Sequence, residues 1–173
     1  MNENNGAISA PLDRLVMPLV LDACCGSRAF WFDKADGRAL FVDKRRCVLS
    51  QVRDTPRSPV VVIPDIQCDF TNLPLPSDTF ALVVFDPPHR VAKEATGNLL
   101  KFYGTLNGDW CNMLRKGFAE CFRVLRPEGT LVFKWCDSDI PLRKILALTP
   151  EKPLFGHKSG KAARTHWVAF LKA

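Results

Sequence analysis

Short apolar runs that each stop at an aspartate recur through the first half of the chain. Leu19-Val20-Leu21 closes on Asp22, Ala39-Leu40-Phe41-Val42 on Asp43, and Phe80-Ala81-Leu82-Val83-Val84-Phe85 on Asp86. Continuous apolar runs bounded by turn residues predict strands buried on both faces. Val60–Ile63 and Ile66–Cys68 compete for the strand between the second and third of these runs. A strand ending over Asp65–Cys68 is favoured, because Asp69 then takes the terminal place held elsewhere by Asp22, Asp43 and Asp86.

The period changes after Asp109. Trp110, Met113, Leu114, Phe118, Cys121, Phe122 and Leu125 recur at helical spacing, with Asp109 as N-cap and Pro127-Glu128-Gly129 as the stop. Lys44–Arg53 predicts a basic helix, Pro141–Leu148 a short one, Thr130–Trp135 a fifth strand and Thr165–Leu171 a last strand. Residues 1–18 predict a loose arm or short helix, residues 90–109 a long loop, and Lys158–Arg164 a small basic loop. Strands alternating with helices give an α/β fold with a mostly parallel sheet, in a single domain over residues 19–173. Such sheets bind ligands outside the carboxyl ends of their strands. The four aspartates therefore converge on one crevice.

Composition adds limits rather than a function. The 173 residues suffice for one sizeable core. No apolar run reaches the roughly 20 residues that span a bilayer, and the polar start has no signal-peptide pattern, so a cytoplasmic protein with no membrane partner is expected. Seven cysteines, odd in number and set in apolar segments without a C-x-x-C pair, predict free thiols and no structural metal site. A formal charge of +6 permits an anionic partner without requiring one.

The candidate chemistry sits at the strand ends. Ala23-Cys24-Cys25-Gly26-Ser27 supplies the small residues of a tight strand-to-loop turn, but G-x-G-x-x-G is absent, which argues against a pyrophosphate there. Asp43 holds the place where a carboxylate can accept both hydroxyls of a ribose. Asp86-Pro87-Pro88-His89 is a stiff extended corner, since proline fixes its own φ and keeps the preceding residue out of the helical region. Beside it, Arg90, Lys93 and Lys101 with Phe102, Tyr103 and Trp110 mix charge and rings in a way that suits phosphate contact and base stacking. Lys158, Lys161 and Arg164 form a second basic cluster. Solvated surface explains either cluster about as well.

Val20-Leu21-Asp22-Ala-Cys-Cys-Gly26, Asp43, Asp69-Phe70 and Asp86-Pro87-Pro88-His89, taken in order, resemble the motifs of class I S-adenosylmethionine-dependent methyltransferases. The Asp-Pro-Pro-aromatic tetrapeptide is similar to that of enzymes acting on exocyclic amino groups of nucleobases, and the compact form to small methyltransferases of phages and mobile elements. The resemblance implies a Rossmann-like twisted sheet of about seven strands with flanking helices, and S-adenosylmethionine as cofactor. It implies that Asp22, Ala23, Cys24, Gly26, Asp43, Lys44, Asp69, Phe70 and Asp86 meet that cofactor and that Asp86, Pro87, Pro88 and His89 carry catalysis. Arg90, Lys93, Lys101, Phe102, Tyr103, Lys158, Lys161 and Arg164 would meet the substrate. Adenine N6 in DNA is the leading substrate, ahead of RNA adenine, a protein glutamine, or a role as non-catalytic subunit; a homodimer or partner subunit would read the site. Cys24 and Arg28 stand where the family has glycine, and His89 where Tyr or Phe is commoner, so His89 either stacks on the base or merely caps the corner.

Overall fold

The computed structural model describes residues 17–49, 59–91, 104–106, 108–159, 162 and 164–173. Nine strands and two helices lie within them: β1 (Val20–Asp22), β2 (Ala39–Asp43), β3 (Cys47–Leu49), β4 (Val60–Val62), β5 (Ile66–Gln67), β6 (Phe80–Phe85), α1 (Trp110–Val124), β7 (Leu125–Cys136), α2 (Leu142–Leu146), β8 (Phe155–Ser159) and β9 (Thr165–Leu171). Seven strands form one sheet in the order β5-β2-β1-β6-β7-β9-β8, and β3 pairs with β4 in a separate ribbon. The pairs among β5, β2, β1, β6 and β7 are parallel, whereas β9 runs antiparallel to both β7 and β8. The chain is thus an α/β protein with a mostly parallel sheet, and its sequential order reverses between β1 and β6.

Strand register sorts side chains onto two faces, because successive residues alternate. Leu131, Phe133 and Trp135 of β7 are fully buried on one face. Helix α1 covers that face with Leu114, Phe118, Cys121 and Phe122, and Phe118 meets Phe85, Phe133 and Phe170 with ring centroids 5.4, 4.9 and 6.2 Å apart. Asp109 caps the helix by accepting from Asn112 N–H, as the sequence predicts. Gly117 allows the close approach: a Cβ there would stand 2.8 Å from the rings of Phe70 and Phe85. Ile145 of α2 joins the same core, and Trp135 Nε1 donates to the Ile140 carbonyl at 2.9 Å.

The opposite face is covered differently. Parallel neighbours need a crossover, usually a helix, yet residues 23–38 between β1 and β2 form irregular turns. Trp31 fills the place of a helix face, packing edge-on against Phe41 at 4.8 Å beside Cys25 and Ala39.

Two expectations are corrected, on the basic helix and the basic loop, and the choice between the two competing runs falls as expected. The basic helix over Lys44–Arg53 is not formed in its described part, because Cys47–Leu49 pair antiparallel with Val60–Val62; residues 50–58 lie outside the described set. Both competing runs are strands, but only Ile66–Gln67 joins the main sheet, beside β2. The basic loop begins later than expected, since Lys158 and Ser159 belong to the edge strand β8, whose Gly156 and exposed residues gave no strand pattern. Among the described residues no helix is long and apolar enough to cross a membrane. The seven cysteines are free, and burial pushes the Cys25 thiol up to about 12.

Candidate active site

Four aspartates end or follow four parallel strands at one edge: Asp22 on β1, Asp43 on β2, Asp69 after β5 and Asp86 after β6. Register explains which of them meet. Asp22 pairs with Phe41 and Val84, and Val84 with Val132, so Asp22, Asp43, Asp86 and Lys134 fall on the same face of the sheet. That is the face turned away from α1.

The first loop is held from below by the sheet, with Ala23 N–H donating to Val84 O at 3.0 Å and Cys25 N–H to Val42 O at 2.8 Å. Gly26 then turns into the left-handed region at φ 51°, and its N–H donates to Asp43 Oδ2 at 2.9 Å. Glycine enters that region without the steric cost a Cβ brings. Arg28 is also left-handed, at φ 55°, where the family resemblance has glycine. Its guanidinium donates to the carbonyls of Lys34 and Ile63 and to Asp65, and stacks 3.7 Å from the Phe41 ring centroid. Arg28 is therefore spent on bracing the crossover rather than on Asp22 or Asp43.

Asp22 is fully buried and accepts from Trp31 Nε1 at 2.8 Å and from Cys24 N–H at 3.3 Å. Burial is the largest influence on it, opposed by these bonds and reinforced by Asp86 and Asp43, and it raises the carboxyl to about 7. Asp43 is already engaged on both oxygens. Arg45 donates through its backbone N–H and Nε to Oδ1 at 2.8 and 3.1 Å, and its Nη2 shares Oδ2 with Gly26.

Asp69 is shared as well, between Thr71, which donates its N–H and hydroxyl to Oδ1 at 3.0 and 2.9 Å, and Lys44, whose Nζ lies 2.9 Å from Oδ2. Burial raises the Asp69 carboxyl, but the bonds from Lys44 and Thr71 outweigh it and leave it below the ordinary value. The Phe70 ring is buried against Phe85 at 5.2 Å and under Gly117. It therefore serves the core, and its backbone is the part left to face a ligand.

At the corner, Asp86 Oδ2 lies 2.6 Å from Lys134 Nζ. Among the described residues neither Asp86 Oδ1 nor the Pro87 carbonyl has a hydrogen-bond partner. Pro87 is buried and Pro88 half-buried, with Gly104 packed against it. His89 meets the buried Trp135 edge-on at 6.2 Å. Desolvation is the main cause that lowers its ring below the ordinary histidine value, with Lys134 and Arg90 adding to it and Asp86 and Asp139 opposing.

The structure brings together Asp22, Ala23, Cys24, Gly26, Asp43 and Asp86, with Lys44 and Asp69 on the β2 and β5 side. Arg90 pairs with Asp139 at 3.1 Å, Val91 N–H donates to the same Asp139 oxygen at 2.9 Å, and Leu106 N–H returns to Arg90 O at 2.8 Å, closing the start and end of the long loop. Lys158 is exposed on β8, three strands from β6, which is roughly 14 Å away at the usual strand spacing. Arg164 is exposed beside the end of β7, its carbonyl accepting from Asp137 N–H at 2.9 Å. Lys93, Lys101, Phe102, Tyr103 and Lys161 lie outside the described residues. Sequence reasoning missed Lys134, Arg45 and Trp31. The available signals were a lysine on an otherwise apolar strand, the basic triplet directly after Asp43, and an indole among the aromatics after Gly26.

No family model and no curated protein matches the chain. Solved structures do. The chain is similar to the PH0226 protein from Pyrococcus horikoshii OT3, with 17% identity over 89% of this chain and 81% of that one and a TM-score of 0.53. It is similar to a TehB-like S-adenosylmethionine-dependent methyltransferase from Corynebacterium glutamicum, with 15% identity, 89% and 79% coverage and a TM-score of 0.53. A S-adenosylmethionine-dependent methyltransferase from Leishmania major matches 88% of this chain over 63% of its own length, at 15% identity and a TM-score of 0.53. The chain therefore has the fold found in S-adenosylmethionine-dependent methyltransferases.

Proposed function

We propose that the chain is a S-adenosylmethionine-dependent methyltransferase acting on an exocyclic amino group of a nucleobase, with adenine N6 of DNA as the leading substrate. The observation that carries this reading is the corner after β6. Two acceptors adjacent in the chain, Asp86 Oδ1 and the Pro87 carbonyl, have no hydrogen-bond partner among the described residues, and two prolines stiffen them.

The donor set fits the cofactor. Asp22 is a buried carboxyl able to ionise toward an ammonium, Asp43 can exchange Arg45 for ribose hydroxyls, and Asp69 can exchange the exposed Lys44 for an adenine amine. The cofactor supplies an electrophilic methyl on a sulfonium. An amine conjugated to its ring is a poor nucleophile, because its lone pair is delocalised. Asp86 and Pro87 accept one N–H bond each, which turns the lone pair away from the ring and holds the nitrogen for an in-line displacement, in which the N–C bond would form as the S–C bond breaks and the nitrogen would then lose one N–H proton. Since a stacked base is out of reach, the substrate is single-stranded or flipped out.

The test is to incubate the protein with radiolabelled cofactor, separate DNA, RNA and protein, and digest the labelled polymer to nucleosides. Label is expected in N6-methyladenine of DNA and is expected to collapse in Asp86→Ala. Undiminished transfer by that variant would refute the role of Asp86, and label confined to protein would refute the nucleobase.

A further inference from the structure

We infer that Lys134 is a positioning residue which fixes the Asp86 carboxylate with one oxygen presented to the substrate and thereby restricts the site to an uncharged nitrogen. The inference rests on the methyltransferase reading above and extends it to a residue and a substrate class.

Lys134 stands abreast of Asp86 because β6 and β7 are parallel and pair Val84 with Val132 and Phe85 with Phe133. Its side chain lies on the face of Asp22 and Asp43, opposite Phe133 and Trp135. The ammonium is held from two further elements, with Nζ 5.6 Å from the ring centroids of both Phe30 in the crossover and Trp167 on β9. Only 25% of the Lys134 side chain and 18% of the Asp86 side chain are exposed. A carboxylate presents two equivalent oxygens and turns about its last bond. An ammonium held by a strand and two rings removes that freedom, keeping Oδ2 and leaving Oδ1.

The charge pattern of the crevice points the same way. Asp86 is paired with Lys134, Asp43 with Arg45 and Asp69 with Lys44. Asp22, the remaining acid, is held by burial near the point where it carries a proton. At the corner where the substrate docks, a lysine ammonium or arginine guanidinium would therefore find the Asp86 carboxylate already compensated and would meet Lys134 at ion-pair range. An adenine or cytosine amine, or a glutamine amide, has no charge to be repelled and donates the N–H bonds that Oδ1 and the Pro87 carbonyl accept.

The test uses the full chain with Lys134→Met, Lys134→Arg, Asp86→Asn and the double variant Asp86→Asn with Lys134→Met. In the free protein, the 13C signal of the Asp86 carboxyl is expected to move in Lys134→Met and to stay in the Lys144→Met control. An unmoved Asp86 signal in Lys134→Met would overturn the positioning role whether or not transfer is observed. In turnover on DNA and RNA oligonucleotides, Lys134→Met is expected to lose at least tenfold in kcat while the Kd for S-adenosylmethionine stays within twofold. Lys134→Arg is expected to recover part of the loss, and Lys134→Met is expected to cost no more than twofold further in the Asp86→Asn background. Losses that multiply in the double variant would show that Lys134 acts apart from Asp86 and would overturn the inference. Transfer by the native protein to lysine peptides as fast as to oligonucleotides would overturn the substrate class. No transfer by the native protein to any polymer would instead defeat the methyltransferase reading, with the carboxyl signal still deciding the pairing.

Discussion

Replacing Asp22 by Asn removes the one carboxyl of the crevice that is fully buried, and the change should be read in the pH dependence of stability. Burial raises this carboxyl from 3.8 to about 7 against the pull of Trp31 and Cys24. The difference, about three units, corresponds to about 4 kcal/mol between the two protonation states. Because the folded value lies above the unfolded one, the native state binds more protons across the interval. The Asp22 contribution to stability is therefore full below about pH 4, falls as pH rises toward 7, and levels off above it. Asn cannot ionise, so Asp22→Asn loses this slope and should gain on the native chain by up to about 4 kcal/mol between pH 4 and pH 8. Urea unfolding of both proteins at a series of pH values measures the difference, in which every other titrating group cancels. Parallel profiles would refute the reasoning. A cationic ligand at Asp22 should also drive off about half a proton at pH 7, seen as a dependence of the calorimetric enthalpy on the buffer and absent in Asp22→Asn.

Further expectations follow from single contacts. Trp31→Phe deletes the 2.8 Å bond to Asp22 Oδ2 and should cost about 1–3 kcal/mol above pH 7, and less at pH 4, by the same unfolding series. Gly117→Ala places a Cβ 2.8 Å from the Phe70 and Phe85 rings, so overpacking of about 1–3 kcal/mol should outweigh the ~1 kcal/mol gain in helix propensity and lower the urea midpoint. Arg28→Gly relieves a left-handed residue but removes its bonds to Lys34, Ile63 and Asp65, and a net loss in melting temperature is expected. Burial lowers the His89 ring below the ordinary histidine value, so its own contribution diminishes as pH drops through 6.5, and the native chain should lose stability relative to His89→Ala when the melting of both is compared at pH 8 and pH 5.

The main sheet was largely legible because its strands announce themselves locally. Phe80–Phe85 is an unbroken apolar run, Trp167–Leu171 within the last strand another, and the helix after Asp109 repeats its apolar residues with a cap in place. The same runs ended on acids, so the sequence alone placed Asp22, Asp43, Asp69 and Asp86 at one edge. Pairing was not legible, because it depends on residues distant in the chain. Cys47–Leu49 became a strand through contact with Val60–Val62, and Phe155–Ser159 an edge strand through contact with β9, against a local pattern that suggested neither. The state of each acid was likewise decided by tertiary contact. Register put Lys134 beside Asp86, the crossover laid Trp31 on Asp22, and the turn after β2 folded Arg45 back onto Asp43. Local periodicity places a carboxylate at a strand end, whereas burial and the partner that meets it, set only when the strands assemble, decide its charge and which of its oxygens is left for a ligand.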